Sequence, residues 1–565
     1  MDEFDIENSN LEINNSNKPL PLKSTIEQLV NGKSEPILTK KELFAWYIYA
    51  FACEVYSVVS ISSFIPLILE HFAFEKGVSS INHQTPCNEE LSEGVRCVIN
   101  IFGFWVDTAS FSLYTFSLSV ILQAITAISI GATADHGEMR KTLLLYFAFV
   151  GSISAMLFLL IPSRSFIIAG ILAIIGNVSF GAAFVCFNGF LPVMVRNHRD
   201  VRRISNEIKD HLSNVETQHQ HAADTQVDVY DNALEERGLL NSQDQILINL
   251  VENLIKAKDH ISTRISARGF ASGYLGGIIL LIFCLCISFL LHNTIYSLQI
   301  GVFLSGIWWF SFSLLVAKWL QPRPGPPLFL SEGSKIRWID YISFSWKRLW
   351  KTILQAKELE MTFRFLMSWI LISDGYTTIT SVALLFGRTT LRIPESGLIF
   401  LSLIAPISAL TSTLLLPRLI KLSIKNTILL LLFMLLLIPI YGCLGLILPV
   451  GGLRTSGELY IMAVWFGIIL GPLQSYCRTM FGELVPSGRE TEFFALYAIT
   501  DKGSSWLGPT LIAIIVDITH EIRYGFLLLI VLIFLPIPIL WSLDDRKGRE
   551  DAANFATDHD HIIQV

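Results

Sequence analysis

Apolar runs recur along this chain, each bounded by a short polar stretch, and they predict its elements. A helix needs about 20 largely apolar residues to cross the hydrocarbon core of a bilayer. Windows of that kind fall at 43–69, 108–130, 142–161, 166–195, 268–291, 296–320, 362–386, 397–416, 427–449, 458–477, 492–515 and 524–541. Such runs are too long and too many for soluble cores. The pattern predicts an all-α membrane protein with twelve transmembrane helices. The first window contains Glu54 and the eleventh contains Asp501 and Lys502, so these two windows are the most polar of the set.

Composition agrees with the pattern. Of 565 residues, 52% are hydrophobic and 16% charged, with a mean hydropathy of +0.52, whereas soluble domains carry about 25% charged residues. This excludes a disordered chain, a disulfide scaffold and a soluble enzyme. The net charge of −6, with no basic face, excludes nucleic acid as a partner. The eight cysteines show no metal-ligand spacing, and neither a metal nor a cofactor is expected. Cys53, Cys186, Cys284, Cys286, Cys443 and Cys477 sit in or beside spans and read as small core residues. Cys87 and Cys97 share the first polar loop, where an oxidising lumen would let them pair. No Gly-x-Ser-x-Gly element in a fitting context and no nucleotide-binding loop occurs, which argues against catalysis and against ATP-driven pumping.

Charge in the short loops sets the orientation. One side carries seventeen Lys and Arg, from Arg140 and Lys141 to Arg549, and the other carries seven, from Lys76 to Arg523. Positive residues stay on the cytosolic side, so both termini are expected there, as an even number of spans requires. The first forty residues lack the features of a cleaved signal peptide. The chain then divides into a cytosolic tail 1–42, a six-helix bundle 43–320 holding a cytosolic loop 196–266, a linker 321–360, a second six-helix bundle 361–543 and a tail 544–565. The charged tail reads as disordered, and the acidic middle of the 196–266 loop as solvated. The linker opens with the stiff Pro322–Pro327 stretch. It continues in an amphipathic part, Ile336–Leu354, suited to the membrane surface and its lipid.

The two six-span parts share local patterns. Ser272-Gly273-Tyr274-Leu275-Gly276-Gly277 in span five matches Ser504-Ser505-Trp506-Leu507-Gly508-Pro509 in span eleven. Phe180-Gly181 precedes Asn188 as Phe466-Gly467 precedes Gln474, and Glu54 in span one stands where Asp374 stands in span seven. A duplicated architecture of this kind predicts alternating access about a site near the bilayer midplane.

Polar groups at membrane depth are the candidates for that site. Charges within spans are costly and are read as functional unless paired. Glu54 and Asp374 are expected to face a cavity and to bind a proton or a cationic group, the alternative being a packing contact. Asn177, Asn188, Gln474 and Tyr274 offer amide and hydroxyl groups to the ammonium or carboxylate of an amino acid, or else bond helix to helix. Trp506 walls the pocket or belongs to the core. Arg478, at the end of span ten, reads as a cytosolic anchor, with carboxylate binding as the alternative. Asp501 and Lys502 are adjacent and point about 100° apart on a helix, so one of them lines the cavity. Lys502 would balance Glu54 or Asp374.

The loop Gly131 to Lys141 contains Asp135, Gly137, Arg140 and Lys141. It resembles the major facilitator signature Gly-x-x-x-Asp-x-x-Gly-Arg-Arg/Lys, with Gly137 one place early and Glu138 where a glycine stands in the signature. The resemblance implies that Asp135, Arg140 and Lys141 latch a cytosolic gate through charge pairs and a helix N-terminus.

Further motifs carry a family likeness. Lys41-Glu42-Leu43, Trp46-Tyr47, Phe51-Ala52-Cys53-Glu54-Val55-Tyr56 and Phe64-Ile65-Pro66 resemble the autophagy-related protein 22 family of fungi. So do Ile265 to Tyr274, Gly471-Pro472-Leu473-Gln474-Ser475, Glu492 to Tyr497 and Ser504 to Pro509. The resemblance implies a multi-pass vacuolar membrane transporter of the major facilitator type. It implies export of neutral amino acids such as leucine from the vacuole lumen after autophagic breakdown. In the cytosolic loop, Glu235, Leu239 and Leu240 match an acidic dileucine sorting signal, which an adaptor would read. Proton flow out of an acidic lumen would drive transport; facilitated diffusion is the other possibility. Two alternatives stand beside this one: a major facilitator transporter of another small solute, and a non-transporting autophagy factor in the vacuolar membrane.

Overall fold

The computed structural model of the protein describes residues 35–79, 83–87, 97–101, 103–224, 233–291, 294–325, 343–347, 350, 359–391, 393, 395–447, 451–487, 489–503, 507–508, 510–512, 515 and 522–563. The chain divides into two compact units, one of Met1–Lys33 with Arg203–Leu254 and the other of Ser34–Arg202 with Ile255–Val565.

In the first part of the larger unit, helix α1 (Lys40–Val55) leads through a π-helical stretch, Tyr56–Phe64, into α2 (Ile65–Lys76). The stretch has a local cause. Pro66 has no N–H to give to the carbonyl four residues back, and its ring crowds that carbonyl. The turns widen accordingly, and Ser62 Oγ and Ser63 Oγ donate to the carbonyls of Ser57 and Val58, five residues earlier. Three short antiparallel strands follow, β1 (Val78–Ser79), β2 (Cys97–Ile101) and β3 (Phe104–Asp107), with Val78 opposite Val98 and Asn100 opposite Trp105. Cys87 and Cys97 are joined by a disulfide beside them.

Then come α3 (Thr108–Ala134), α4 (Met139–Leu157) and α5 (Phe166–Arg196). The helix α6 (Arg199–Asp224) precedes α7 (Ala233–Leu290), and α8 (Ile295–Trp319) closes this part of the chain. Glu235, Leu239 and Leu240 lie on the backbone of α7, with side chains outside the described residues. Most of the amphipathic linker segment is likewise outside them. Its described helical residues 343–347 pack on the end of α3: Thr133 Oγ1 and Ser345 Oγ are 3.0 Å apart.

The later part consists of α9 (Glu360–Thr389), α10 (Glu395–Leu419), α11 (Ile424–Ile447), α12 (Ser456–Glu483), α13 (Glu490–Gly503), α14 (Gly525–Phe534), α15 (Pro536–Trp541) and α16 (Asp545–Ile563). A core of Phe365, Trp369, Leu432, Phe481, Phe494 and Ile533 joins these helices. Large apolar side chains such as Leu160, Ile121, Leu437 and Leu419 remain exposed, as expected of surfaces that meet lipid rather than water.

Nine helices are long and apolar enough to cross a membrane among the described residues. The sequence predicts twelve. The three windows outside those nine are 362–386, 397–416 and 492–515, those of α9, α10 and α13, and in each of them some residues or their side chains lie outside those described.

The C-terminal tail departs from the expectation of disorder. It forms α16, an amphipathic helix with Ala552 and Phe555 buried. Arg549 pairs with Asp259 of α7 at 2.9 Å, and the Arg489 guanidinium sits 5.0 Å from the Phe555 ring. The apolar stripe, spaced by three residues, is what the charged composition concealed.

Candidate functional site

A cavity of about 850 Å³ lies among α1, the π-helical stretch, α5, α7, α9, α12 and α13. Residues four apart share a helix face, and that spacing builds the walls. Phe180, Phe184 and Asn188 line it from α5, and Phe466, Leu470, Gln474 and Arg478 from α12. Asn188 and Arg478 lie toward the end of their helices nearest the α3–α4 loop. Leu67 and Leu453 line the opposite end.

Arg478 is the decisive group at the base. Its window of apolar residues ends at Cys477, but the helix continues to Glu483, so the guanidinium is buried, with 2% exposure. Nε and Nη2 donate to Oγ and O of Ser266 on α7 at 3.1 and 2.8 Å, and Nη1 donates to Asn188 Oδ1 at 3.3 Å. The Phe270 and Trp46 rings lie 4.1 and 5.2 Å from its carbon, and these cation–π contacts offset part of the lost hydration. No ion pair joins Arg478 to a carboxylate among the described residues; Glu54, on the same cavity wall, attracts it from farther off. Beside it, Asn188 Nδ2 is buried with no hydrogen-bond partner among the described residues.

Further along the cavity, Tyr274 on α7 donates to Gln474 Oε1 on α12 at 2.7 Å. Asp501 on α13 accepts from Ser373 Oγ at 2.6 Å and from the Tyr376 hydroxyl at 2.9 Å, both on α9. Glu54 crosses Gly273 so closely that a Cβ there would fall 2.5 Å from Glu54 Cγ. Only glycine admits the acid between α1 and α7.

The α3–α4 loop closes one end. Asp135 Oδ1 and Oδ2 accept from the backbone N–H groups of Thr491 and Glu492 at 2.8 and 3.0 Å, capping the N-terminus of α13. Arg140 lies between Asp135 at 2.6 Å and Glu490 at 3.0 Å, and donates to Thr491 Oγ1 at 3.0 Å. Arg196 pairs with the other oxygen of Glu490. Burial pushes the Asp135 carboxyl up, against the pull of Arg140 and the two backbone donors. Small residues bring the helices together here: a Cβ on Gly131 would stand 3.1 Å from both Ala495 Cβ and Glu492 Cα.

Comparison with known proteins bears on this arrangement. The model of the family "Vacuole effluxer Atg22 like" matches residues 38–553. The chain belongs to that family. Autophagy-related protein 22-1 of Aspergillus fumigatus is 38% identical over 561 residues, covering 92% of each chain. Autophagy-related protein 22 of Gibberella zeae is 39% identical, covering 93% of this chain and 83% of its own. The solved proton:xylose symporter XylE, a major facilitator protein, superposes with a TM-score of 0.57 at 12% identity, covering 92% of this chain and 100% of that one. The human organic anion transporter MFSD10 gives 0.54 at 12% identity, over 89% of this chain and 99% of its own. At such low identity these two show the fold alone: a multi-spanning helical membrane fold of the major facilitator kind.

In this Atg22-like chain, the expected site residues separate into groups. Glu54, Asn188, Tyr274 and Gln474 line the cavity together. Asp374 does not line it: Oδ1 accepts the Gly508 N–H at 3.0 Å. Trp369, Tyr376, Thr380 and Ala383 define the cavity face of α9, and Asp374, two residues before Tyr376, points to another side. The acid that stands there instead is Asp501. Asn177 shares the face of Asn188, three turns away, but its Nδ2 is engaged by Ser119 Oγ. Lys502 lies on α13 with a side chain outside the described residues, as Trp506 is altogether. Lys141 is half-buried and is no part of the Asp135–Arg140–Glu490 cluster; the charge it feels in the loop is that of Glu138. Sequence reasoning missed Gln123, which lines the cavity against Gly181. Its signal was a lone amide inside the apolar run Val120 to Leu122 and Ala124.

Proposed function

We propose that this protein exports neutral amino acids, such as leucine, from the vacuole lumen to the cytosol after autophagic breakdown. In this reading twelve spans form two pseudo-symmetric six-helix bundles, 43–320 and 361–543, that rock about the cavity. Both termini and the α3–α4 loop face the cytosol, and the disulfide loop faces the lumen, an oxidising side in keeping with a Cys87–Cys97 bond. The observation that carries the proposal is the cavity itself. Helices from both parts of the chain line it, and the end marked by Asp135, Arg140 and Glu490 is locked. It is thus poised to receive cargo from the lumenal end. The correspondence of Asn188 with Gln474, each seven residues after a Phe-Gly pair and both on the cavity wall, supports the repeat.

Protons leaving the acidic lumen drive the cycle through Glu54 and Asp501. Protonation of a cavity carboxyl removes a costly buried charge and eases the bundles' rotation. The test is uptake of labelled leucine by reconstituted vesicles, with and without a pH gradient. Uptake that rises with the gradient in the native protein, and loses that response in Asp501→Asn, is expected. Leucine uptake equal to that of empty vesicles would reject the cargo; gradient-independent uptake would reject the coupling.

A further inference from the structure

We infer that Arg478 and Asn188 form the seat for the substrate's carboxylate group. A guanidinium has five N–H donors in a planar fork suited to a carboxylate. Ser266 and Asn188 Oδ1 occupy three of them, one on each nitrogen. Two donors of Arg478 therefore remain, next to Asn188 Nδ2, which has no partner among the described residues. Both side chains line the cavity. A buried cation with no ion-paired carboxylate among the described residues, Glu54 attracting it only from farther off, and beside it an amide donor without a described partner are costly to fold. A monocarboxylate entering the cavity would cancel both costs at once. The Phe270 and Trp46 rings beside the guanidinium keep water from it and orient the fork. The seat would bind any small apolar acid by its carboxylate and would reject the matching amide, which brings no charge.

This inference rests on the amino-acid cargo proposed above, and binding separates the two. Purified full-length protein is heated with isocaproate, isocaproamide, leucine or leucinamide, and the melting temperature is followed against ligand concentration. Both acids are expected to stabilise the native protein and both amides to leave it unchanged. Arg478→Lys should weaken the acids roughly 10- to 100-fold, and Asn188→Ala roughly 3- to 10-fold. If Arg478 merely clasps α12 to α5 and α7, Arg478→Lys lowers the melting temperature of the protein alone but keeps the preference for acid over amide, and the seat is refuted. Equal stabilisation by acid and amide in the native protein refutes it without any variant, as does silence of both acids. Asn188→Ala gives the same reading if Arg478→Lys fails to fold. Acid-selective binding without leucine uptake would leave the seat standing and break the cargo proposal instead.

Discussion

Two of the four arginines buried among the described residues, Arg140 and Arg478, are treated in opposite ways. Arg140, in the α3–α4 loop region, meets the carboxylates of Asp135 and Glu490 and the Thr491 hydroxyl. Arg478, at the cavity base, meets hydroxyl, carbonyl and amide oxygens and aromatic rings, and no described carboxylate. In low dielectric a paired cation holds its partners strongly, whereas one without a counter-ion bears a large desolvation cost. The first arrangement fixes two helices; the second leaves charge available to a ligand.

The comparison can be broken by removing each side chain in turn. Arg140→Ala leaves Asp135 without its cation and facing Glu490, which keeps only Arg196. It should destabilise the purified protein by about 3–5 kcal/mol, read as a fall in denaturant or thermal midpoint. It should also expose Cys186, which is buried on α5, to thiol reagents. Glu490→Gln keeps the Asp135–Arg140 pair but strips Arg196 and Arg140 of a charge, and should cost about 1–3 kcal/mol in the same assay. Arg478→Ala removes three hydrogen bonds together with a charge that has no ion-paired carboxylate among the described residues, so the two effects oppose. A loss of about 0.5–1.5 kcal/mol is expected. If it proves as damaging as Arg140→Ala, the distinction between lock and seat fails. Lys141→Ala, which leaves the Asp135–Arg140–Glu490 cluster intact and removes only the attraction to Glu138, should stay within about 0.5 kcal/mol of the native protein. A larger change there would give the lysine a part in the latch.

The C-terminal helix α16 bears on the same contrast. Arg549 reaches Asp259 across the molecule, with side-chain exposures of 10% and 26%. Water screens such a pair more than it screens Arg140, so it contributes less to holding the helices.

The motif residues of the α3–α4 loop were legible in the sequence because their spacing is local: Asp135 and Arg140 lie five residues apart and meet within one turn-and-helix start. Their partners were not legible, since Glu490 and Thr491 lie some 350 positions away. Glu54, Asn188, Tyr274 and Gln474 were legible as polar groups inside apolar runs. Arg478 looked like a cytosolic anchor because the apolar run stops one residue before it, although the helix runs on to Glu483. Asp374 looked like a cavity acid because its depth in the span was right while its rotation about α9 was not.

The sequence by itself determined that the chain enters a membrane, where most of its apolar helices lie, and which loops carry the excess of positive charge. These follow from hydrocarbon transfer and backbone hydrogen bonding, which act on each segment alone. The tertiary structure decided which polar side chains share one cavity, which arginine is saturated by acids, and which acid turns inward. Those outcomes depend on how helices distant in the chain rotate and pack against each other, and a single helix carries no record of its neighbours' phase.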